Sequence, residues 1–218
     1  MRFQGVFFDF DYTLGDGTEA ILAGFRHAFT QMGLPVPENE AVRRTVGMVL
    51  EDEYTLLSGD PSPEGRERFR QLYTAVAGPM QVETARLFPG ARALLEALRA
   101  AGVPTGVVST KGYGVLRDIL EALGIVPLLS SIHGGGQGLP PKPDPAGLLS
   151  AIGAQALEPG QVLYCGDTLI DAEAARRGGV PFCAVLNGAT AEEQFRASGF
   201  PFVHIAPDLA ELKEWLEI

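Results

Sequence analysis

Residues 6–14, Val-Phe-Phe-Asp-Phe-Asp-Tyr-Thr-Leu, join an apolar strand to two closely spaced carboxylates. Side chains alternate along an extended segment, so Asp9 and Asp11 are expected to point the same way. A buried carboxylate is costly unless it is paired or binds a cation. Capping of the following turn is the structural alternative. The pattern favours a nucleophile beside a proton-transfer group at the end of the first strand.

Short apolar runs alternate with helix-period segments along the rest of the chain. Strands separated by helices predict a parallel sheet covered on both faces, a Rossmann-like α/β core of three layers. The predicted strands are Phe3–Phe8, Pro104–Val108, Leu128–Ile132, Val162–Tyr164, Phe182–Leu186 and Phe202–Ile205. The predicted core helices are Ala91–Ala101, Val115–Leu123, Pro145–Gly153, Ile170–Arg177, Ala191–Ala197 and Asp208–Leu216. Gly102 and Gly124 follow two of these helices where a left-handed residue is expected.

Residues 16–84 break this alternation, because they contain no convincing strand. Four consecutive helices are predicted there instead, at Glu19–Met32, Glu40–Val49, Leu50–Leu57 and Pro63–Ala77. The sequence therefore predicts two domains. Residues 1–15 and 85–218 form the α/β core, and residues 16–84 form a small helical insert after the first strand.

Polar residues also follow three later strands of the predicted sheet. Ser109 and Thr110 offer hydroxyls that can hold phosphate oxygens, although a simple helix cap is the alternative. Lys142 stands between two prolines, which stiffen the backbone around its cation. Asp167 ends another strand, and Asp171 falls in the first turn of a helix, where the helix dipole alone favours an acid. Ligands of open parallel sheets bind at this edge, so we expect these residues to share one site.

Four carboxylates at one sheet edge would repel each other without a counter-charge. Mg²⁺, which prefers oxygen ligands and is often held by carboxylates together with phosphate, would resolve this repulsion. The Gly-rich stretch at residues 134–136 lacks the rest of a nucleotide-binding motif and is predicted to be a flexible turn.

Composition limits the partners. The net charge of −10 argues against a nucleic acid or an anionic membrane surface. The longest apolar runs are much shorter than a membrane span, and the first residues show no leader pattern, so a cytoplasmic protein is expected. Cys165 and Cys183 are expected to be buried free thiols. Monomer and homodimer are both left open.

The motifs at residues 9–13, 109, 142 and 166–171 resemble, in this order, those of the haloacid dehalogenase-like hydrolase superfamily. The resemblance covers essentially the whole chain. It extends to Leu87-Phe88-Pro89-Gly90-Ala91 and is strongest with the helical-cap subgroup that includes phosphoglycolate phosphatase. The chain departs from the family pattern in having Tyr12 where Gly is usual, Asp16-Gly17 where Asp-Ser is common, and Thr110 where Asn is frequent. Tyr12 adds bulk near the cap.

The resemblance implies a Mg²⁺-dependent phosphatase that acts on a small phosphorylated metabolite, with phosphoglycolate as the first guess. Asp9 would be the nucleophile that forms an aspartyl-phosphate, and Asp11 the acid and base. Ser109 and Lys142 would hold the phosphoryl oxygens. The metal would be bound by Asp9, the backbone carbonyl of Asp11 and Asp167, with Asp171 orienting the shell or binding through water. Further substrate contacts are expected from Thr13, Thr110, Arg43 and Gly47, and hinges of the cap at Gly15–Gly17 and Thr84–Phe88.

Other functions of this fold make different demands on the same residues. A dehalogenase of this fold would lack Asp11, and a phosphonate-cleaving relative would need a lysine in residues 16–84, where there is none. A phosphosugar mutase remains an alternative, as do a pyrophosphatase and a nucleotidase. A non-catalytic binding module is opposed by the intact acids and by Lys142.

Overall fold

The computed structural model describes residues 2–218 and divides them into eight strands and ten α-helices. The strands are β1 (Gly5–Phe8), β2 (Gly15–Asp16), β3 (Arg86–Leu87), β4 (Thr105–Gly112), β5 (Ser131–Gly135), β6 (Val162–Gly166), β7 (Phe182–Val185) and β8 (His204–Ala206). The helices are α1 (Thr18–Gln31), α2 (Asn39–Arg43), α3 (Leu50–Ser58), α4 (Pro63–Thr84), α5 (Ala91–Ala100), α6 (Tyr113–Ala122), α7 (Ala146–Gly153), α8 (Leu169–Gly178), α9 (Glu192–Ala197) and α10 (Leu209–Trp215).

Six of the strands form one parallel sheet in the order β5-β4-β1-β6-β7-β8. Strand β1 lies in the middle, with Phe8 opposite Val107 of β4 and Cys165 of β6. All four residues of β1 are buried, as expected for a central strand covered on both faces. The predicted Rossmann-like α/β architecture is confirmed.

Helices cover both faces of this sheet. Apolar residues of α5, α6 and α10 pack on one face, and those of α7, α8 and α9 pack on the other. Gly102 (φ 71°) and Gly124 (φ 65°) end α5 and α6 in the left-handed conformation, as predicted. Cys165 and Cys183 are buried free thiols, also as predicted.

Helices α1–α4, which we call the cap, enclose a separate apolar cluster. Its centre is aromatic: the ring of Phe69 stacks on Tyr54 (4.9 Å between centroids) and lies 5.2 Å from Phe25. Helices α1 and α4 approach closely at Gly24, where a Cβ would come within 2.7 Å of Tyr73. The cap therefore has its own core, which supports the two predicted domains, although their limits at residues 16 and 84 stay a prediction.

The cap differs from its prediction in two helices. Helix α2 ends at Arg43, and residues 44–49 form turns in which Gly47 adopts a φ of +104° that other residues rarely reach. Helix α4 does not end at Ala77 but continues to Thr84 past Pro79. Proline removes one helical hydrogen bond; the buried residue Gln81, on the turn beyond it, ties the end of the helix to the core.

The core also departs from the predicted boundaries. Strands β2 and β3 pair antiparallel, Gly15 with Leu87 and Asp16 with Arg86, where only hinges were predicted. The predicted strand Leu128–Ile132 is shifted: residues 126–128 form a 3₁₀ turn and β5 runs over Ser131–Gly135. Two glycines of the predicted turn at 134–136 thus belong to a strand. None of the helices in residues 2–218 has both the length and the apolar character of a membrane-spanning segment.

Candidate active site

The central strands bring their carboxyl-terminal residues together at one edge of the sheet. Asp9 follows β1, and its backbone N–H donates to the carbonyl of Cys165 on β6 (2.8 Å). Asp167 follows β6 directly, and Ser109 lies in the last half of β4. Because these strands are neighbours in parallel register, residues more than 150 positions apart in the chain become adjacent.

Lys142, from the loop after β5, is the cation at the centre of this cluster. Its Nζ lies 3.0 Å from Oδ1 of Asp9 and 2.6 Å from Oδ1 of Asp171, and it donates to the hydroxyl of Tyr164 (3.1 Å). Burial by itself would lower the pKa of Lys142, but Asp171 and Asp9 outweigh burial and raise it. Lys142 is therefore a fixed ammonium group.

The acidic residues around Lys142 are buried. Oxygens of Asp9, Asp167 and Asp171 all lie within 4.8 Å of one another. Burial raises the pKa of Asp9 to about 7 although Lys142 opposes it. Burial likewise raises the pKa of Asp167, with Asp171 and Asp9 adding to the effect. In this environment a further positive charge would stabilise the ionised carboxylates.

The residues present fit an oxygen-seeking divalent cation. Together with Asp11 and Lys111, which form a second ion pair with largely buried side chains (3.2 Å), the sheet edge contributes four carboxylates and two ammonium groups. Full ionisation leaves an excess of two negative charges. Oδ1 of Asp9 is buried and lies 3.0 Å from Nζ of Lys142, whereas Oδ1 of Asp11 is buried and accepts no hydrogen bond among the described residues. Buried carboxylate oxygens within 4.8 Å of one another, together with this excess negative charge, suit Mg²⁺.

Asp171 belongs to the acidic cluster, as expected, and it also caps the first turn of a helix. The backbone N–H of Thr168 donates to Oδ2 of Asp171 (3.1 Å), and the backbone N–H of Asp171 donates to the hydroxyl of Thr168 (3.2 Å). This reciprocal cap begins helix α8. Oδ1 of the same carboxylate accepts from Lys142 and from Tyr164 (3.0 Å). Both oxygens of Asp171 are thus occupied, and the residue orients Lys142.

A cavity of about 500 Å³ lies between the cap and this edge of the sheet. The core contributes Asp11, Ser109, Thr110 and Lys142 to its wall, and Gly47 approaches from the cap. The hydroxyl of Thr110 donates to the carbonyl of Gly47 (3.0 Å), which joins core and cap at this point. These predicted site residues are therefore together in the structure.

Two of the expected substrate contacts lie elsewhere. Thr13 is completely buried and donates to Oδ1 of Asp167 (3.2 Å), so it positions that carboxylate. Arg43 lies over the ring of Tyr12 (5.4 Å) and is not part of the cavity wall. Tyr12 itself has a φ of 55°, a conformation that glycine adopts without cost. Its burial in the cap cluster, with Thr18 donating to its hydroxyl (3.0 Å), offsets that strain.

Several residues of the site were missed by the sequence analysis. Lys111 and the cap residues Glu53 and Gln81 line the cavity, and Tyr164 contacts Lys142. Burial raises the pKa of Glu53 well above its usual range, with Lys111 opposing. Gly188 lies so close to Oδ2 of Asp167 that a Cβ would overlap with it. The scarcity of lysine could have pointed to Lys111, since the chain has only three lysines.

Comparisons with known proteins agree with this geometry. The family model described as haloacid dehalogenase-like hydrolase matches residues 6–185. The phosphoglycolate phosphatase of Rhodospirillum rubrum is 29% identical over 221 residues, which cover 98% of this chain and 90% of that protein. The phosphoglycolate phosphatase of Escherichia coli K12 is 29% identical over 206 residues, covering 85% and 82% respectively.

Solved structures show the same similarity. A haloacid dehalogenase-like hydrolase of Bacteroides fragilis superimposes with a TM-score of 0.92 and 33% identity. The match covers 96% of this chain and 99% of that one. The similarity therefore includes the cap as well as the sheet.

Proposed function

Because this chain belongs to the haloacid dehalogenase-like hydrolase family and is a phosphatase, we propose that it hydrolyses a small phosphate monoester through an aspartyl-phosphate on Asp9. The observation that carries this proposal is the buried Asp9–Lys142 ion pair (3.0 Å) at the sheet edge. It supplies a carboxylate nucleophile next to a fixed cation, which is the arrangement that attack on a phosphate requires.

In the first step an oxygen of Asp9 attacks phosphorus in line with the ester bond. The bond from phosphorus to the leaving oxygen breaks, and protonated Asp11 gives its proton to that oxygen, so that an alcohol leaves. Ser109 and Lys142, which both line the cavity, would hold the transferring phosphoryl oxygens. Stabilisation of the charge on these oxygens is the main contribution of the protein to phosphoryl transfer.

In the second step the Asp11 carboxylate takes a proton from water as the water oxygen attacks the phosphoryl group. The bond between Asp9 and phosphorus breaks, inorganic phosphate leaves, and Asp9 is restored. The free Oδ1 of Asp11 is the oxygen available for both proton transfers. The cap, which covers the cavity, would exclude bulk water and admit one reacting water.

We propose Mg²⁺ as the cofactor. Asp9, Asp167 and the backbone carbonyl of Asp11 would hold it, with Asp171 orienting the cluster. The ion would neutralise excess negative charge of the carboxylates and of the substrate phosphate. The cytoplasmic location and the choice between monomer and homodimer stay predictions.

Gly188→Ala tests the metal site from a residue outside the acidic cluster. The added methyl group would force Oδ2 of Asp167 away from its position, since Thr13 already holds the other oxygen. We expect the Mg²⁺ concentration for half-maximal activity to rise about 10–100-fold, as for other residues that position metal ligands. Gly160→Ala is the control, because among residues 2–218, apart from its two chain neighbours, no atom lies within 4 Å of its added Cβ. An unchanged Mg²⁺ requirement would argue against Asp167 as a ligand.

A panel of phosphate compounds tests the function itself. Phosphoglycolate is the first candidate, because both curated relatives described above are phosphoglycolate phosphatases. Sugar phosphates, nucleoside monophosphates, pyrophosphate and an aryl phosphate complete the panel, each with Mg²⁺ and with excess EDTA. We expect phosphate release with Mg²⁺ only, fastest from phosphoglycolate. A faster member would replace this substrate, and isomerisation of a sugar phosphate without phosphate release would establish a mutase.

A further inference from the structure

Lys111 has a largely buried side chain that contacts both the core and the cap. Its Nζ lies 3.2 Å from Oδ2 of Asp11 and donates a hydrogen bond to Oε1 of Gln81 on helix α4. Only 8% of its side chain is exposed. A single ammonium group thus joins a carboxylate at the sheet edge to an amide of the cap.

The placement of this cation is unusual on physical grounds. Lysine is almost never buried unless it is paired, because removing an ammonium from water costs several kcal/mol. The chain has 17 lysines and arginines together, but only three of them are lysines. Two of those three, Lys111 and Lys142, lie in the site. A compact ammonium suits one carboxylate oxygen better than the planar, bidentate guanidinium of arginine does.

The contact leaves the two oxygens of Asp11 in different states. Oδ2 is held by Lys111, whereas Oδ1 is buried and accepts no hydrogen bond among residues 2–218. A proton-transfer group needs this arrangement: one oxygen must be fixed so that the other has a defined direction toward the reacting atom. Lys111 therefore restricts the rotation of the Asp11 carboxyl group.

The cap determines where the ammonium of Lys111 lies. Gln81 is buried, and its Nε2 donates to the hydroxyl of Tyr73 (3.4 Å), which turns its Oε1 toward Lys111. Glu53 lines the same cavity, and Lys111 opposes the burial that raises the pKa of this carboxyl. Gln81 belongs to cap helix α4, so its hydrogen bond acts on Lys111 only while the cap covers the core.

We propose that Lys111 is a positioning residue for the reaction, which orients Asp11 through Oδ2 and does so only when Gln81 of the docked cap holds its ammonium. The proposal rests on the proposed function, since it assigns the acid and base role to Asp11. It links cap closure to catalysis: the proton-transfer group is aligned when the substrate has been enclosed.

The test compares Lys111→Met and Gln81→Met with Lys213→Met, which removes the same charge from helix α10 outside the cavity. With the best substrate of the panel, Lys111→Met is expected to lower kcat about 10²-fold, as for loss of acid–base help, with KM changed less than about threefold. Gln81→Met is expected to lower kcat by a smaller factor, and Lys213→Met to leave it unchanged. A residue that only stabilises the cap would raise KM instead.

An aryl phosphate provides a second measurement, because a weakly basic leaving group needs little protonation. In Lys111→Met we expect a rapid burst of phenol, about one per enzyme, before slow turnover, since hydrolysis of the intermediate still needs Asp11 as base. A kcat within threefold of wild type, or equal losses for aryl and alkyl esters without a burst, would overturn the role of Lys111. If Lys111→Met does not fold, the kcat of Gln81→Met decides in the same way.

Failure of the proposed function would give a different experimental result from failure of the positioning role. In that case the wild-type protein itself would form no acid-stable phosphoryl group on Asp9 when quenched during turnover. A wild type that forms this intermediate together with a fully active Lys111→Met would overturn only the positioning role.

Discussion

Asp9→Asn is expected to abolish phosphate release from every substrate of the panel, with a loss of at least about 10⁴-fold in kcat. The amide has nearly the same shape as the carboxylate but is too weak a nucleophile to attack phosphorus. The loss should be the same for good and poor leaving groups, because formation of the intermediate itself is blocked. The loss in kcat is measured as phosphate release in a coupled assay that compares the purified variant with the purified wild type.

Stability separates this chemical effect from misfolding. Burial raises the pKa of Asp9 to about 7, so the charged carboxylate is disfavoured at this position, and a neutral amide should not lower the melting temperature without metal. Asp118→Asn, on the exposed surface of helix α6, is the matched control and should retain full activity. Turnover by Asp9→Asn within tenfold of wild type would refute Asp9 as the nucleophile.

Lys142→Met is expected to cost about 3–5 kcal/mol of folding stability when metal is absent, because it leaves buried carboxylates without their cation. Nζ of Lys142 contacts both Asp9 (3.0 Å) and Asp171 (2.6 Å), and no more than 4% of any of these side chains is exposed. For a chain of this length the loss corresponds to a drop in melting temperature of about 10 °C. Thermal unfolding in EDTA measures it, and turnover should fall as well.

A second substitution shows whether uncompensated negative charge causes the loss of stability in Lys142→Met. Asp171→Asn removes one of the carboxylates that Lys142 neutralises, so in the Lys142→Met background it should recover part of the lost stability. Lys213→Met is the control for loss of a lysine and should change stability by less than about 0.5 kcal/mol. Asp171→Asn alone is expected to lower the free energy of unfolding by a measurable amount. If it lowers that of Lys142→Met by the same amount, the two residues are not coupled, and loss of the ion pair is not the cause of the instability.

The strand-end residues could be predicted from the sequence because local patterns determine them. An apolar run that ends in Asp9 or Asp167 marks both a buried strand and the point where it leaves the sheet. In a parallel sheet all such points lie at one edge, so the topology brings them together without any knowledge of side-chain packing. Lys142 was found in the same way, from its position after β5.

The contacts between cap and core could not be predicted. Lys111, Glu53 and Gln81 are separated by about 30 residues or more in the chain, and no periodic pattern links them. Arg43 was expected to reach the substrate, but it lies over Tyr12 because α2 ends there and the chain turns at Gly47. Thr13, also expected at the substrate, instead holds Asp167.

By itself, the sequence determined the α/β class, the helical insert and the acidic cluster with its lysine. The hydrophobic pattern and the alternation of strands and helices along the chain are sufficient for these features, because both are short-range properties and a parallel sheet places its strand ends at one edge. Only the tertiary structure decided which residues of the cap meet the cluster and that Lys111 holds Asp11. Those contacts depend on how four helices pack around Phe69 and against the sheet, and packing is set by the shapes of side chains that are distant in the sequence.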